Sequence, residues 1–491
     1  MKALNTRPDD DFSSNAGATA RTDGTPSAVL NVGPDETYAT IADALAVANT
    51  GDQIVLETGY SNENALITVN NLFIEGDHSS KHIDLTLGFG VDTLTLQGNA
   101  PINVVDNAGN DTITGNAGAN LIEVSGGVDV AHGGSGTDRL FVDYSSATGS
   151  ITGTAVSITD GGSHAVTFDG FENFTIYTGS GADTLTVGDG ENIIHSGAGN
   201  DTITSGNGHN QIVAGSGDDT VTAGDGGNRI WGGLGNDTIT SGTGNDYVNG
   251  GAGDDTLTGG GGDDTVIGGK GNDTISGGAG NDVLFGGPGI NTLDGGTGVD
   301  TADYSLNHTG VTVSLAIGVA QAVSAYETDT LTNIENLTGS DFRDTLTGDA
   351  GNNVLTGGLG ADQLNGGGGS DTFVYTAADE STSRAFDVIT GFDALSDTFD
   401  LSSTVNAIDA TVTSGLLTGG HFDADMAAAI GASQLGAHDA VLFTPTSGSF
   451  AGDTFLIVDM NGQAGYQAGE DLVIQLDSSG HLESLSTGNF I

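Results

Sequence analysis

Between residues 178 and 303 an aliphatic side chain recurs every nine positions, set between polar neighbours that are most often threonine: Leu185, Ile194, Ile203, Ile212, Val221 and so on to Leu293. Polar–aliphatic–polar is the signature of a very short strand, one side chain inward and its neighbours outward. The residues between these strands are mostly Gly, Asp and Asn, which build turns. The segment divides into fourteen blocks of nine without an insertion or deletion, of the form G-G-x-G-x-D-x-U-x with U aliphatic. Residues 196–204 (SGAGNDTIT), 232–240 (GGLGNDTIT), 250–258 (GGAGDDTLT) and 268–276 (GGKGNDTIS) are typical. Glycine holds the second and fourth positions of all fourteen blocks, and Asp or Asn holds the sixth. The eighth is Leu, Ile or Val in thirteen, with Ala302 closing the series.

One block is a turn followed by a strand, and two blocks make one coil with a strand on each side. The pattern therefore predicts an all-β fold, a parallel β-roll or β-solenoid. Fourteen blocks give seven coils, roughly 34 Å long at a strand spacing of ~4.8 Å. Glycine lets the turn backbone reach positive φ. Stacking sets the sixth-position acids above one another, where like charges so close cannot all stay ionised without a cation. A cage of oxygens alone suits Ca²⁺ better than Zn²⁺ or Cu²⁺.

Composition strengthens this reading. The 491 residues include 84 Gly and 65 Asp or Glu against 9 Lys or Arg, a formal net charge of −56. Such a chain repels nucleic-acid phosphates and anionic lipid, and needs a cation partner to stay compact. With no Cys, disulfides, thiolate zinc sites and cysteine nucleophiles are excluded. No apolar run approaches the ~20 residues of a membrane helix. The start of the chain lacks the apolar stretch of a Sec signal, and residues 1–27 are polar and predicted to be disordered.

These blocks resemble the RTX (repeats-in-toxin, haemolysin-type) nonapeptides. The resemblance implies a secreted protein with several Ca²⁺ ions between successive turns, held by the sixth-position acid and by turn carbonyls. In the main array the acids are Asp183, Asp201, Asp219, Asp237, Asp246, Asp255, Asp264, Asp273, Asp282 and Asp300. Residues 106–141 form a shorter array with Asp111, Asn120, Asp129 and Asp138, and residues 339–374 another with Asp344, Asn353, Asp362 and Asp371. Alternate blocks fall on opposite sides of the roll. One side carries Asp at nearly every turn, whereas the other begins Asn192, Asn210, Asn228. Weak or absent calcium binding is expected there, the alternative being an asparagine ladder that bonds to itself. The Asp side repeats outward Thr pairs, such as Thr220 and Thr222, similar to the faces of ice-binding solenoids but also ordinary for exposed strands.

The flanks divide the rest. Residues 28–105 are expected to form a β-helix-like cap: a helix in residues 38–49, then a strand in 53–57, resembling the opening of pectate-lyase-type β-helices. Residues 142–177 and 304–338 are related β inserts, opened by Asp-Tyr-Ser at Asp143 and Asp303 and closed near Glu172-Asn173 and Glu335-Asn336. They bracket the main array, residues 178–303. Residues 375–491 resemble the segment that follows RTX arrays in serralysin-type proteins. Their apolar end is similar to type I secretion signals, which implies an ABC exporter as partner. Asp459, Asn461 and Glu470 resemble an EF-hand loop, but Ala464 stands where Gly is required, so a plain loop is expected. No H-E-x-x-H or G-x-S-x-G occurs, and His78 with His82 reads as two surface histidines. The expected role is structural or adhesive at the cell surface, through polysaccharide or self-association. A polysaccharide lyase or epimerase is the alternative, and an ice-binding solenoid the third.

Overall fold

In the computed structural model, residues 28–77 and 79–491 are described. The expectations for residues 1–27 and for the His78–His82 pair fall on residues or side chains outside that set. The chain forms two compact units, Met1–Gly197 and Ala198–Ile491.

In the first unit two parallel sheets face each other. One begins at Val29–Val32 and runs through Gln53–Leu56, Leu72–Gly76, Thr93–Gly98, Thr112–Thr114, Val128–His132 and Ala165–Asp169. The other runs from Ser61–Ile67 through Lys81–Leu87, Ile102–Val105, Leu121–Val124, Arg139–Asp143 and Asn173–Tyr177 to Ile193–His195. The coil length tightens along the chain. Phe73 lies opposite Thr95, twenty-two residues on, whereas Leu121 lies opposite Arg139, eighteen on. Inward aliphatics such as Ile54, Ile74, Leu94, Ile83, Ile102 and Ile122 are fully buried. The expected helix is shorter than its pattern, Ile41–Leu45, and is capped at its start by Thr40 and Asp43. Glu63 also accepts the N–H of Ile41 and Ala42.

The second unit follows the same plan at a strict eighteen-residue period. Thr202–Thr204, Thr220–Thr222, Thr238–Thr240 and Thr256–Gly261 pair in register, threonine on threonine. Opposite them Gln211–Ser216, Arg229–Leu234, Tyr247–Ala252, Thr265–Lys270 and Val283–Phe285 form the second sheet. The inserts are hairpins let into the winding, the first within the first unit and the second within the second. In the first, Ser157–Thr159 is antiparallel to both neighbours while Thr152–Thr154 joins Thr184–Thr186 in parallel. In the second, Gln321–Ala322 lies antiparallel to Glu327–Thr332, and Thr312–Ser314 joins Thr345–Thr347 in parallel. The winding runs past residue 374, because Asp387–Thr390 and Thr398–Leu401 extend the two ladders by one more coil. A core of Phe422, Met426, Phe443, Phe455 and Val473 closes this end under the helix Phe422–Ala429.

Backbone contact between coils explains the glycines. Gly251 has φ +108°, and a Cβ there would collide with the Gly233 carbonyl of the coil below. Gly251→Ala combines a positive φ with that clash, and is expected to cost at least about 1 kcal/mol. Gly188 has open space around its Cβ position, so Gly188→Ala should stay within about 0.5 kcal/mol of wild type. Thermal melts in saturating calcium check the pair; equal losses would contradict the packing argument.

Candidate metal centre

The turn puts each sixth-position acid where the strand begins, and eighteen-residue stacking sets it over its equivalent. All sixteen aspartates expected from the pattern are buried, none exposing more than 3 % of its surface. In the regular coils one carboxylate oxygen receives a backbone N–H from the coil below. The Asp219 N–H donates to Asp237 Oδ1 at 2.9 Å, Asp237 to Asp255 at 2.8 Å and Asp255 to Asp273 at 2.9 Å. On the other side Asp246, Asp264 and Asp282 donate in turn to Asp264, Asp282 and Asp300, each at 2.8 Å.

The second oxygen has no such donor. Oδ2 of Asp219, Asp237, Asp246, Asp255, Asp264, Asp273, Asp282 and Asp300 is buried without a hydrogen-bond partner. The space it faces is outlined by the block's first glycine. A Cβ on Gly250 would meet Asp255 Oδ2 and, at 2.9 Å, the Gly268 carbonyl oxygen of the next coil. Gly259 and Gly277 stand in the same relation to Asp264 and Asp282 and to the carbonyls of Gly277 and Gly295. Two acceptors thus border one small space, and the carboxylate oxygen there has no donor, which is costly in a buried site. A hard, oxygen-seeking cation resolves that confrontation, and the donor set fits Ca²⁺.

The electrostatics agree. Burial, with neighbouring acids adding to it, pushes Asp255 and Asp264 up to about 7. Burial likewise raises Asp219, Asp237, Asp246, Asp273 and Asp300 to about 6.

Asparagine supplies the internal contrast. Asn228 Nδ2 donates to the carbonyls of Gly224, Gly226 and Ser241 at 3.0, 2.9 and 2.8 Å. Ser241 holds the place that Gly268 holds above Asp255, so the amide NH₂ meets the carbonyl that a carboxylate confronts. Asn192, Asn210 and Asn291 share with it the bond to the carbonyl four residues back in their own turn, and toward the next coil Asn210 Nδ2 donates to Asn228 Oδ1 and Asn291 Nδ2 to Asp329 Oδ1.

The remaining predicted acids divide. Asp129, Asp138 and Asp362 keep a buried Oδ2 without a partner. Asp183 and Asp201 sit at the same turn position, Asp183 Oδ1 accepting the Ile151 N–H and the Asp201 N–H donating to Asp219. Asp371 Oδ1 accepts the Asn353 N–H. Asp111 and Asp344 differ, because Asn107 and Ser340 hydrogen-bond both oxygens of each. Several acids absent from the pattern also join the stacks. Glu172 receives the Asp138 N–H at 2.7 Å and Glu335 the Asp300 N–H at 2.8 Å. Asp387 and Asp397 do the same for Asp362 and Asp371, and Asp329 lies opposite Asn291. The paired Glu-Asn ends of the inserts were the visible signal for the two glutamates. The EF-hand-like loop is a hydrogen-bonded turn, with Asp459 Oδ1 accepting from the N–H of Asn461 and Gly462.

Family relationships agree with this geometry. The RTX calcium-binding nonapeptide repeat family, defined on four copies, matches residues 105–140, 175–203, 204–239, 240–275, 267–302 and 338–373. This is a parallel β-roll of calcium-binding nonapeptides, and proteins with such repeats are typically secreted. The chain thus carries RTX-type calcium-binding repeats over these stretches. No curated protein matches it, and no described helix is long and apolar enough to cross a membrane.

Asp255→Asn is expected to mimic Asn228. It should lower the calcium stoichiometry and stabilise the calcium-free roll by on the order of 1–3 kcal/mol, the cost of an unsatisfied buried acceptor. Calorimetric titration and melts in EGTA read both, and an unchanged stoichiometry with a less stable calcium-free form would contradict it. The raised carboxyls also set the pH response. The calcium-free fold binds more protons than the unfolded chain, so its stability is fullest below the unfolded value near 4 and is lost as pH rises through about 6 to 7. Circular dichroism in EGTA should show more β-structure at pH 5 than at pH 8, and the reverse order would contradict the assignment.

Proposed function

We propose that this is a secreted calcium-binding protein whose roll closes on extracellular calcium and then serves a structural, adhesive role at the cell surface. The observation that carries it is the repeated confrontation of carboxylate and carbonyl oxygens. The turn acids are the residues that would hold the ions, and the ions would supply the positive charge that lets the coils stack. In calcium-poor cytosol the carboxylates repel and the chain stays open, a state suited to passage through a type I ABC exporter. Outside, modules of this kind bind calcium at ~10⁻⁴–10⁻³ M, and binding becomes folding free energy.

The adhesive reading has a surface to support it. In the second unit a cleft of about 770 Å³ lies between the roll and the second insert, lined by Asn249, Ile267, Phe285, Leu306, Asn307 and Tyr326. Tyr326 is 75 % and Leu306 62 % exposed. Sugar rings carry apolar C–H faces that pack on aromatic rings, and hydroxyl rims that bond to carboxamides. The net charge of −56 disfavours a polyanion, so the partner is an uncharged polysaccharide.

The chain should be largely unfolded in EGTA at pH 8 and gain β-structure cooperatively in millimolar calcium. In calcium it should bind chitin or cellulose beads, with the bound fraction falling several-fold in Tyr326→Ala and Phe285→Ala. Full β-structure in EGTA at pH 8 would reject calcium-coupled folding. Equal bead retention of wild type and both variants would reject the polysaccharide surface alone.

A further inference from the structure

The first unit contains an acid cluster that departs from the repeat. In residues 106–114 the first position of the block, glycine in many others, is Asp106. Carboxylate oxygens of Asp106, Asp111 and Asp129 lie within 4.8 Å of one another, and all three residues are buried. A point among three oxygens so spaced lies within about 2.8 Å of each, just beyond the 2.3–2.6 Å of a calcium–oxygen bond, so a small closing of the cluster lets one ion reach all three. Asp106 accepts the N–H and hydroxyl of Ser125. Asp111 accepts from Asn107, and Asp129 Oδ1 accepts the Asp111 N–H at 2.9 Å. Asp129 Oδ2 has no partner and is buried.

A second buried group beside this cluster also lacks a partner. The Tyr144 hydroxyl has no hydrogen bond, though the residue is only 2 % exposed. Burial pushes its hydroxyl up, and the charges of Asp129, Asp106 and Asp160 add to that.

The duplicated insert shows what satisfies such a tyrosine. Tyr304 stands at the same place in the second Asp-Tyr-Ser, and its hydroxyl donates to Asp329 Oδ2 at 3.1 Å. Asp329 is the register partner of Asn291. In the first insert the register partner of Asp129 is Val166. No carboxylate is supplied at that register position, and both the tyrosine hydroxyl and Asp129 Oδ2 are left without a hydrogen bond.

We propose that Asp106, Asp111 and Asp129 form a three-carboxylate calcium site bordered by the Tyr144 hydroxyl, and that it binds more tightly than the regular turns. The added carboxylate is the reason, since ligand charge sets affinity in such sites. This rests on the calcium reading of the repeats and assigns Asp106 and Tyr144 roles that the nonapeptide pattern does not give them.

Terbium is the probe, because a nearby tyrosine sensitises its emission. Titrated into the full-length chain, the first equivalent should give tyrosine-sensitised emission. Tyr144→Phe keeps the ring and removes the hydroxyl's coupling to the ion, and should lower that emission several-fold while leaving later equivalents unchanged. Asp106→Asn should weaken the first phase at least about tenfold, a loss that even an outer-shell partner produces at a metal site. If Asp106→Asn does not fold, Tyr144→Phe still decides. A first phase unaltered by either folded variant overturns the proposal. If the wild-type circular dichroism responds to calcium in that same sample, the calcium reading of the repeats survives such a failure; if it does not, that reading fails too.

Discussion

The structure turns on the oxygen atoms that meet at each bend. Stacking coils every eighteen residues forces a buried carboxylate oxygen toward a carbonyl oxygen of the next coil, as Asp255 Oδ2 faces the Gly268 carbonyl. Three chemistries relieve this. A divalent cation accepts both oxygens, a proton converts the carboxyl to a donor, and an asparagine amide replaces it outright. The chain uses the last at Asn228, whose amide donates to the Ser241 carbonyl of the next coil, and sets asparagine at the same turn position at Asn192, Asn210 and Asn291. Elsewhere it keeps aspartate, and the closed state depends on what the solution supplies. Under the proposed calcium-coupled folding, these bends tie stability to calcium, because the ions offset the self-repulsion of a net charge of −56.

The glycines follow from the same closeness. Carbonyls can line the bend only if the backbones touch, so a side chain at Gly251 or Gly253 would strike the coil below. The inserts show how tolerant the winding otherwise is. Each adds an antiparallel strand, yet returns to the ladder with an acid in place: Glu172 under one, Glu335 under the other. The aromatic core around Phe422 and Phe455 replaces metal-held bends with ordinary apolar packing at the last coils.

The repeating coils were legible because one period governs both the inward aliphatic and the turn acid. Ile239 and Asp237 are buried for reasons visible in a nine-residue string. Legibility failed where the period changed. Glu172 lies thirty-four residues beyond Asp138, and Asp387 twenty-five beyond Asp362, so neither falls on a nonapeptide grid. Asp106 was hidden for the opposite reason, sitting on the grid at a block's first position, which glycine or another small residue fills in most blocks. The coils before residue 105 step by nineteen to twenty-four residues, off the eighteen-residue period, and only their first helix and strand were apparent. The asparagine side was recognised as different, but whether it repelled calcium or bonded to itself needed the contacts of Asn228.

Anomalous diffraction from crystals grown in calcium tests the central claim most directly. The account predicts calcium peaks between carboxylate and carbonyl at Asp237, Asp255, Asp264, Asp273 and Asp282, and none beside Asn210 or Asn228. A closed roll with those aspartate bends free of anomalous signal would contradict it.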